Sequence, residues 1–486
     1  MIALGSYVLL GWHVRMLADD YCTAYVALKR TVLESVIHDY YNWNWTYVDS
    51  FFKAVIARFQ PAFHQVQTVL LLVALGAALW WLVREVGAAL QVAALRRYSG
   101  LVALVLLMLV MYTIPSYSVL FWYSALLPYS FPIALIIAAL AAVLRWVRHD
   151  YHHAGWYGAF WIFAAIFING TANTFFLPLL GALALAAIYV MWRAPAERRR
   201  ILLTVIAAVA LATLVSFVLV FTAPGNAVRQ AHELAMNGFT TPSIPELITL
   251  TAYYTLNYFL VPYGYTLLYG LIGVLVGIFL TIATSAEDAA HIRHLPISQR
   301  WIWLDISSLI VLSTGVAVVT IVATSYGVGT ILGRTMFFPR VVQALCMVVL
   351  GYMLAVWLAR RGFPSAEIKR RPAYRAVRLA LIGLMVALPL GALIRNFDHL
   401  PNFQTYAQDW DKVHAMILAE VAAGNRSVIE VPAYRYSVAA LLNLDELDEP
   451  LGYTRGCAAG FYGVEGITMP QILNPFRVNF WRPRQP

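Results

Sequence analysis

Long apolar runs, broken by short clusters of charged and turn-forming residues, recur along most of the 486-residue chain. A helix needs roughly 20 apolar residues to cross a hydrocarbon core of about 30 Å. Runs of that order fall at 1–18, 66–84, 101–117, 131–147, 156–171, 175–192, 201–222, 266–284, 303–325, 338–359 and 377–395. They predict eleven transmembrane helices. The first run carries Arg15 and lacks the small-residue cleavage site of a signal peptide, so it is expected to be a retained helix. The stretch 246–265 is apolar but rich in tyrosine, which favours the headgroup layer, and reads as interfacial or re-entrant.

The pattern changes near residue 396. Seventeen of the 90 residues from Phe397 onward are charged, nearly twice the earlier density. DWDKVHAMILAEVAAG predicts an amphipathic helix ending at Gly424, and RSVIEVPAY predicts a short buried strand. The expected architecture is an all-α polytopic membrane module over 1–396, followed by a small external α/β domain over 397–486. No internal repeat or low-complexity tract interrupts it.

Composition excludes a water-soluble fold. Hydrophobic residues make up 61% of the chain and charged residues 12%, against roughly 45–50% and 25% in soluble proteins. The net charge of +10 therefore points to loop topology and not to nucleic acid. Loops after even-numbered helices hold eighteen Lys and Arg, and those after odd-numbered helices up to residue 394 hold seven. The positive-inside rule then places the N-terminus in the cytoplasm and the odd loops outside. Cys22, Cys346 and Cys457 show neither metal spacing nor a disulfide framework.

The external loops hold the candidate chemistry. The first opens with Asp19-Asp20-Tyr21 at the end of helix one. Adjacent carboxylates at a membrane boundary repel and are costly to bury, which raises the pKa of one of them. Their side chains diverge, so one suits a general base and the other suits orienting a hydroxyl or holding a cation. An N-cap for a helix over Tyr21–Val36 is the plain alternative. His64 follows an amphipathic stretch over 51–63. Trp122, Tyr123 and Tyr129 form an aromatic segment, either a membrane belt or a set of faces for sugar rings. Asn169 and Asn173 bracket a polar turn, Asn226 and Arg229 lie in PGNAVR, and Arg334 and Arg340 flank an apolar patch. Each isolated Arg can be a snorkelling side chain. Together, acids, bases and aromatics on one face suit a lipid-borne phosphate and a hydroxyl-rich partner.

The segments Ala18-Asp19-Asp20-Tyr21-Cys22, Trp122 to Pro132, Asn169 to Asn173, Pro224 to Arg229 and Gly460-Phe461-Tyr462-Gly463 resemble those of the GT-C superfamily. Those enzymes are polyprenyl-phosphate-sugar-dependent glycosyltransferases, and the resemblance is narrower to a bacterial branch of integral-membrane proteins. The segment NGTANT departs from relatives in having no glutamate. The resemblance implies an inverting enzyme of the bacterial cytoplasmic membrane, with its active site on the extracytoplasmic side. Asp19 or Asp20 would take the proton of an acceptor hydroxyl, in a glycan, glycolipid or protein. Arg229, Arg334, Arg340 or His64 would stabilise the departing lipid phosphate. Tyr21, Trp122, Tyr129, Asn169, Asn173 and Asn226 would line the substrate site. Some relatives use a divalent cation, for which Asp19 and Asp20 are the candidate ligands. The competing readings are a secondary transporter or flippase for a lipid-linked or polar solute, and an inactive glycolipid-binding relative.

Overall fold

The computed structural model describes residues 2–17, 19–43, 45–112, 117–237, 242–260, 299–328, 331, 333–360, 372–432 and 455–468. Among these, six helices are long and apolar enough to cross a membrane: Phe63–Ala89, Tyr123–Arg148, Asn173–Trp192, Ala196–Phe221, Ser307–Tyr326 and Gly333–Leu354. Ile2–Trp12 and Ser99–Met111 are shorter apolar helices. The chain is a multi-pass, all-α membrane protein. The expected run at 266–284 lies outside the described residues, and the tyrosine-rich stretch is helical over Ile244–Leu260.

The first five helices build the region that matters for function: α1 (Ile2–Trp12), α2 (Asp19–Leu28), α3 (Val32–Asn42), α4 (Tyr47–Ile56) and α5 (Phe63–Ala89). Two expectations are corrected here. The first apolar run stops being helical after Trp12, because the Arg15 guanidinium donates to the carbonyls of Trp12 and Val14 and forms a two-pronged pair with Asp411 at 2.7 and 2.9 Å. The single helix expected over Tyr21–Val36 is two. Thr31 ends the first and caps the second, with its hydroxyl accepting from the Glu34 amide while Glu34 reaches back to the Thr31 amide. Gly11 lets α1 approach α5 closely, since a Cβ there would lie 2.7 Å from Thr68 Cβ.

The C-terminal part is tied to the same region. One helix runs unbroken over Pro372–Ala422, through residue 396, with Pro389 and Pro401 inside it. It packs along the start of the chain: Asn396 donates to Ser6 at 2.9 Å, Tyr406 donates to the Met16 carbonyl at 3.0 Å, and Trp410 Nε1 donates to Tyr21 Oη at 2.8 Å. Gly424, with φ +91, ends the helical run. Strand β1 (Val428–Glu430) then pairs in parallel with β2 (Gly466–Thr468), with Ile429 opposite Ile467. The helix Arg455–Tyr462 lies against α2, and Gly460 makes that approach possible because a Cβ would meet the Tyr25 ring. A disulfide joins Cys22 to Cys457. This overturns the expectation that the cysteines form no disulfide. The partners are 435 residues apart, and only folding of the terminal helix onto α2 brings them together. Cys346 is free and buried.

Candidate functional site

The site starts from the irregular stretch His13–Leu17, which delivers Asp19 and Asp20 to the first turn of α2. Carboxylates are favoured there by the helix dipole. The two then part company. Asp19 is half-buried, whereas Asp20 is 1% exposed. Asp20 Oδ2 accepts from the Leu17 amide at 3.0 Å, and Oδ1 accepts from the Ser124 hydroxyl at 2.9 Å. Burial pushes the Asp20 carboxyl up to about 7, more than those two hydrogen bonds pull it down. Asp20 is not a solvated cap.

His64 comes from the first turn of α5 and is fully buried, with Nε2 3.7 Å from Asp20 Oδ2. The Tyr123 ring meets His64 edge-on, with centroids 6.0 Å apart. Tyr123 and Ser124 reach this position because the helix Ser118–Phe121 is interrupted at Trp122, whose backbone is extended. The chain then resumes at Tyr123 and passes through a wide π turn at Leu126–Ser130. Arg334, in the turn Gly333–Met336, places its guanidinium 5.2 Å from the Trp122 ring. Four of the expected site residues, Asp20, His64, Trp122 and Arg334, are thus gathered around one interrupted helix.

Helix α4 adds a feature that the sequence reading missed. Asp49 and Lys53 form a buried ion pair at 2.7 Å. Burial raises the Asp49 carboxyl despite the lysine, and Lys53 is raised because Asp49, joined by Asp19 and Asp39, outweighs the burial that would lower it. The spacing of four residues was a visible signal for such a pair.

The other expected residues take varied places. Tyr21 is 2% exposed and holds Trp410, Phe461 and Tyr462 around it. Tyr129 is half-buried in the π turn. Asn169 is buried and donates to the Ala165 carbonyl at 2.7 Å. It lies next to Gly170, where a Cβ would sit 2.8 Å from the Tyr47 ring. Asn173 is exposed at the start of a short 3-10 turn. Asn226 donates to the Val220 and Phe221 carbonyls at 2.9 and 3.1 Å, closing the end of the preceding helix. Arg229 lies over Trp45 at 5.0 Å, and Arg340 is half-buried in the helix Phe337–Arg360.

A divalent cation such as magnesium or calcium asks for about six oxygen ligands. Both Asp20 oxygens already accept hydrogen bonds, and among the described residues no group of three His, Cys, Asp or Glu converges. The donor set does not fit such an ion.

Fold and site together define a multi-pass membrane protein with a buried acid–histidine cluster where two apolar helices begin. No protein-family model, curated protein or solved structure matches the chain.

Proposed function

We propose that the protein is an inverting membrane glycosyltransferase of the GT-C kind, moving a sugar from a polyprenyl-phosphate donor to an acceptor hydroxyl outside the bacterial cytoplasmic membrane. The observation that carries this reading is the divergence of the two carboxylates on one helical turn. Asp20 has both oxygens occupied and is buried, so it serves as a positioning residue. Asp19, adjacent and the more exposed of the two, is the one we assign to the acceptor hydroxyl.

In this mechanism Asp19 accepts the proton of the acceptor hydroxyl as its oxygen attacks the anomeric carbon. The bond from that carbon to the lipid phosphate breaks, and the electron pair leaves with the phosphate oxygen. Arg334, held over Trp122 beside the cluster, is placed to meet that charge, with Arg229 and Arg340 as further candidates. Electrostatic stabilisation of this kind contributes several kcal/mol. The Cys22–Cys457 disulfide supports an external setting for α2, since disulfides persist in oxidising compartments. The tail that it anchors would form one wall of the acceptor site.

The test is transfer of a labelled sugar from a polyprenyl-phosphate donor by the reconstituted full chain. Asp19→Asn should lower the rate by about 10²–10⁴-fold while donor retention is unchanged. Wild-type transfer by that variant, with a donor the protein is shown to use, would remove Asp19 from the chemistry. One observation favours a second reading: the interruption at Trp122, beside buried polar groups, is the kind of broken helix that transporters use. Movement of a lipid-linked solute across vesicles with no change in its covalent structure would select that alternative.

A further inference from the structure

At the opposite end of α5 from His64, the chain reverses sharply. Gln91 adopts φ 55, and the short helix Ala93–Arg97 folds back on α5. Gly87 permits this, because a Cβ there would lie 3.0 Å from the Arg96 amide nitrogen and 3.1 Å from Leu95 Cβ. The reversal encloses an open cleft of about 390 Å³ lined by Trp80, Arg84, Ala93, Arg96, Arg97 and Ser99. That volume is in the range of roughly 300–1,000 Å³ typical of small-ligand sites.

Three arginines, Arg84, Arg96 and Arg97, line this cleft. Among the described residues, no ion pair ties any of them to a carboxylate. The nearest acid in sequence, Glu85, is buried and already engaged by Arg148 at 2.8 Å and Arg145 at 3.7 Å. Arg84 stacks 5.5 Å from the Trp80 ring and Arg97 lies 5.7 Å from the Tyr98 ring. Stacking occupies the faces of the guanidinium planes and leaves their N–H edges to grip an anion. Trp80 and Tyr98 are 43% and 39% exposed, as aromatic side chains at a membrane surface are.

We infer that this cleft binds the phosphate of an anionic phospholipid headgroup, in the leaflet faced by the Arg-rich loops. The lipid source follows from position: the cleft sits at the end of a membrane-crossing helix, and basic pockets there bind anionic headgroups. The inference is independent of the glycosyltransferase reading.

The test uses the full chain in zwitterionic detergent, supplied with phosphatidylglycerol or phosphatidylcholine and read by native mass spectrometry. Wild type should retain phosphatidylglycerol preferentially. The triple variant R84Q/R96Q/R97Q should lose that retention by on the order of 100-fold, from about one kcal/mol per basic residue. R84K/R96K/R97K keeps the loop charge that directs insertion, and should still lose several-fold because Lys lacks the planar fork. R198Q/R199Q, basic positions outside the cleft, should bind as wild type does. Equal retention by wild type and both triple variants would overturn the site. Full displacement of the lipid by millimolar inorganic phosphate, with phosphate binding lost in the triple variants, would overturn the lipid source in favour of a soluble anion.

Discussion

Replacing Asp20 by Asn isolates the energetic cost of its burial. The carboxyl titrates at about 7 in the folded chain, against about 3.9 when unfolded. Between those values the folded state holds a proton that the unfolded state has shed, so stability falls as pH rises, by about 1.4 kcal/mol per unit. Above about 7 both states are ionised and the loss levels off. From pH 5 to pH 8 the accumulated loss attributable to Asp20 is about 3 kcal/mol. Asn keeps the shape and has no proton to lose. Its carbonyl accepts from the Leu17 amide, and its NH2 donates to Ser124 once that hydroxyl rotates. Thermal unfolding of wild type and Asp20→Asn in the same detergent, at pH 5, 6, 7 and 8, reads the difference directly. Relative to wild type, the variant should gain about 3 °C or more in Tm between pH 5 and pH 8. Parallel pH dependence in the two proteins would refute the reasoning, because every other titrating group is common to both.

Three further outcomes are expected. Lys53→Met leaves Asp49 buried and unpaired and should destabilise the fold by about 3–5 kcal/mol, with the double variant Asp49→Asn/Lys53→Met recovering much of the loss in the same melting assay. Reduction, or Cys22→Ser, should cost about 2–4 kcal/mol, and alkylation before and after reductant should label Cys22 and Cys457 only afterwards. Arg334→Lys keeps the charge but loses the planar stack on Trp122, so KM for a lipid-phosphate donor should rise several-fold with KM for the acceptor unchanged; a pure membrane anchor would tolerate the change.

The membrane class was legible because a span is a one-dimensional property: about twenty apolar residues in a row need no tertiary information. Helix ends set by long-range contacts were not. The first run looks apolar through Leu17, yet Arg15 reaches Asp411 and the helix ends at Trp12. The jump in charge near Phe397 looks like a boundary, yet the Pro372–Ala422 helix continues through it because Asn396, Tyr406 and Trp410 are buried against the start of the chain. At the site, the Asp19-Asp20 pair could be singled out from its position at a membrane edge. The different settings of its two members depend on Ser124, which is 104 residues away, and on a helix interruption at Trp122 that no local propensity announces. Asp49 and Lys53 were readable from spacing but were overlooked among several candidate charges. The disulfide depended on the tail folding onto α2, which no cysteine spacing encodes.

The polar atoms that fold into the cluster also bear on what it is for. Among the described residues, buried atoms with no hydrogen-bond partner include both His64 ring nitrogens, Gln67 Oε1, Trp122 Nε1, the Tyr123 hydroxyl, Asp49 Oδ1 and Ser50 Oγ. Each unsatisfied buried group costs about 1–3 kcal/mol, and they fall on α4, the start of α5 and the Trp122 turn. A bundle selected for stability alone would replace such groups with apolar side chains, as α5 does at Leu71, Leu75 and Leu79, which are fully buried. The mixture is informative. Trp122 Nε1 can only donate, Asp49 Oδ1 and Gln67 Oε1 accept, and His64, Ser50 and Tyr123 do either. A phosphodiester offers acceptors only and would leave the acceptor half of this set unanswered. A sugar offers hydroxyls that both donate and accept, so a ligand able to answer the whole set is polyhydroxylated. Under the proposed glycosyltransferase reading, that ligand would be the sugar-bearing portion of a lipid-linked donor or its acceptor, with the lipid phosphate turned towards Arg334.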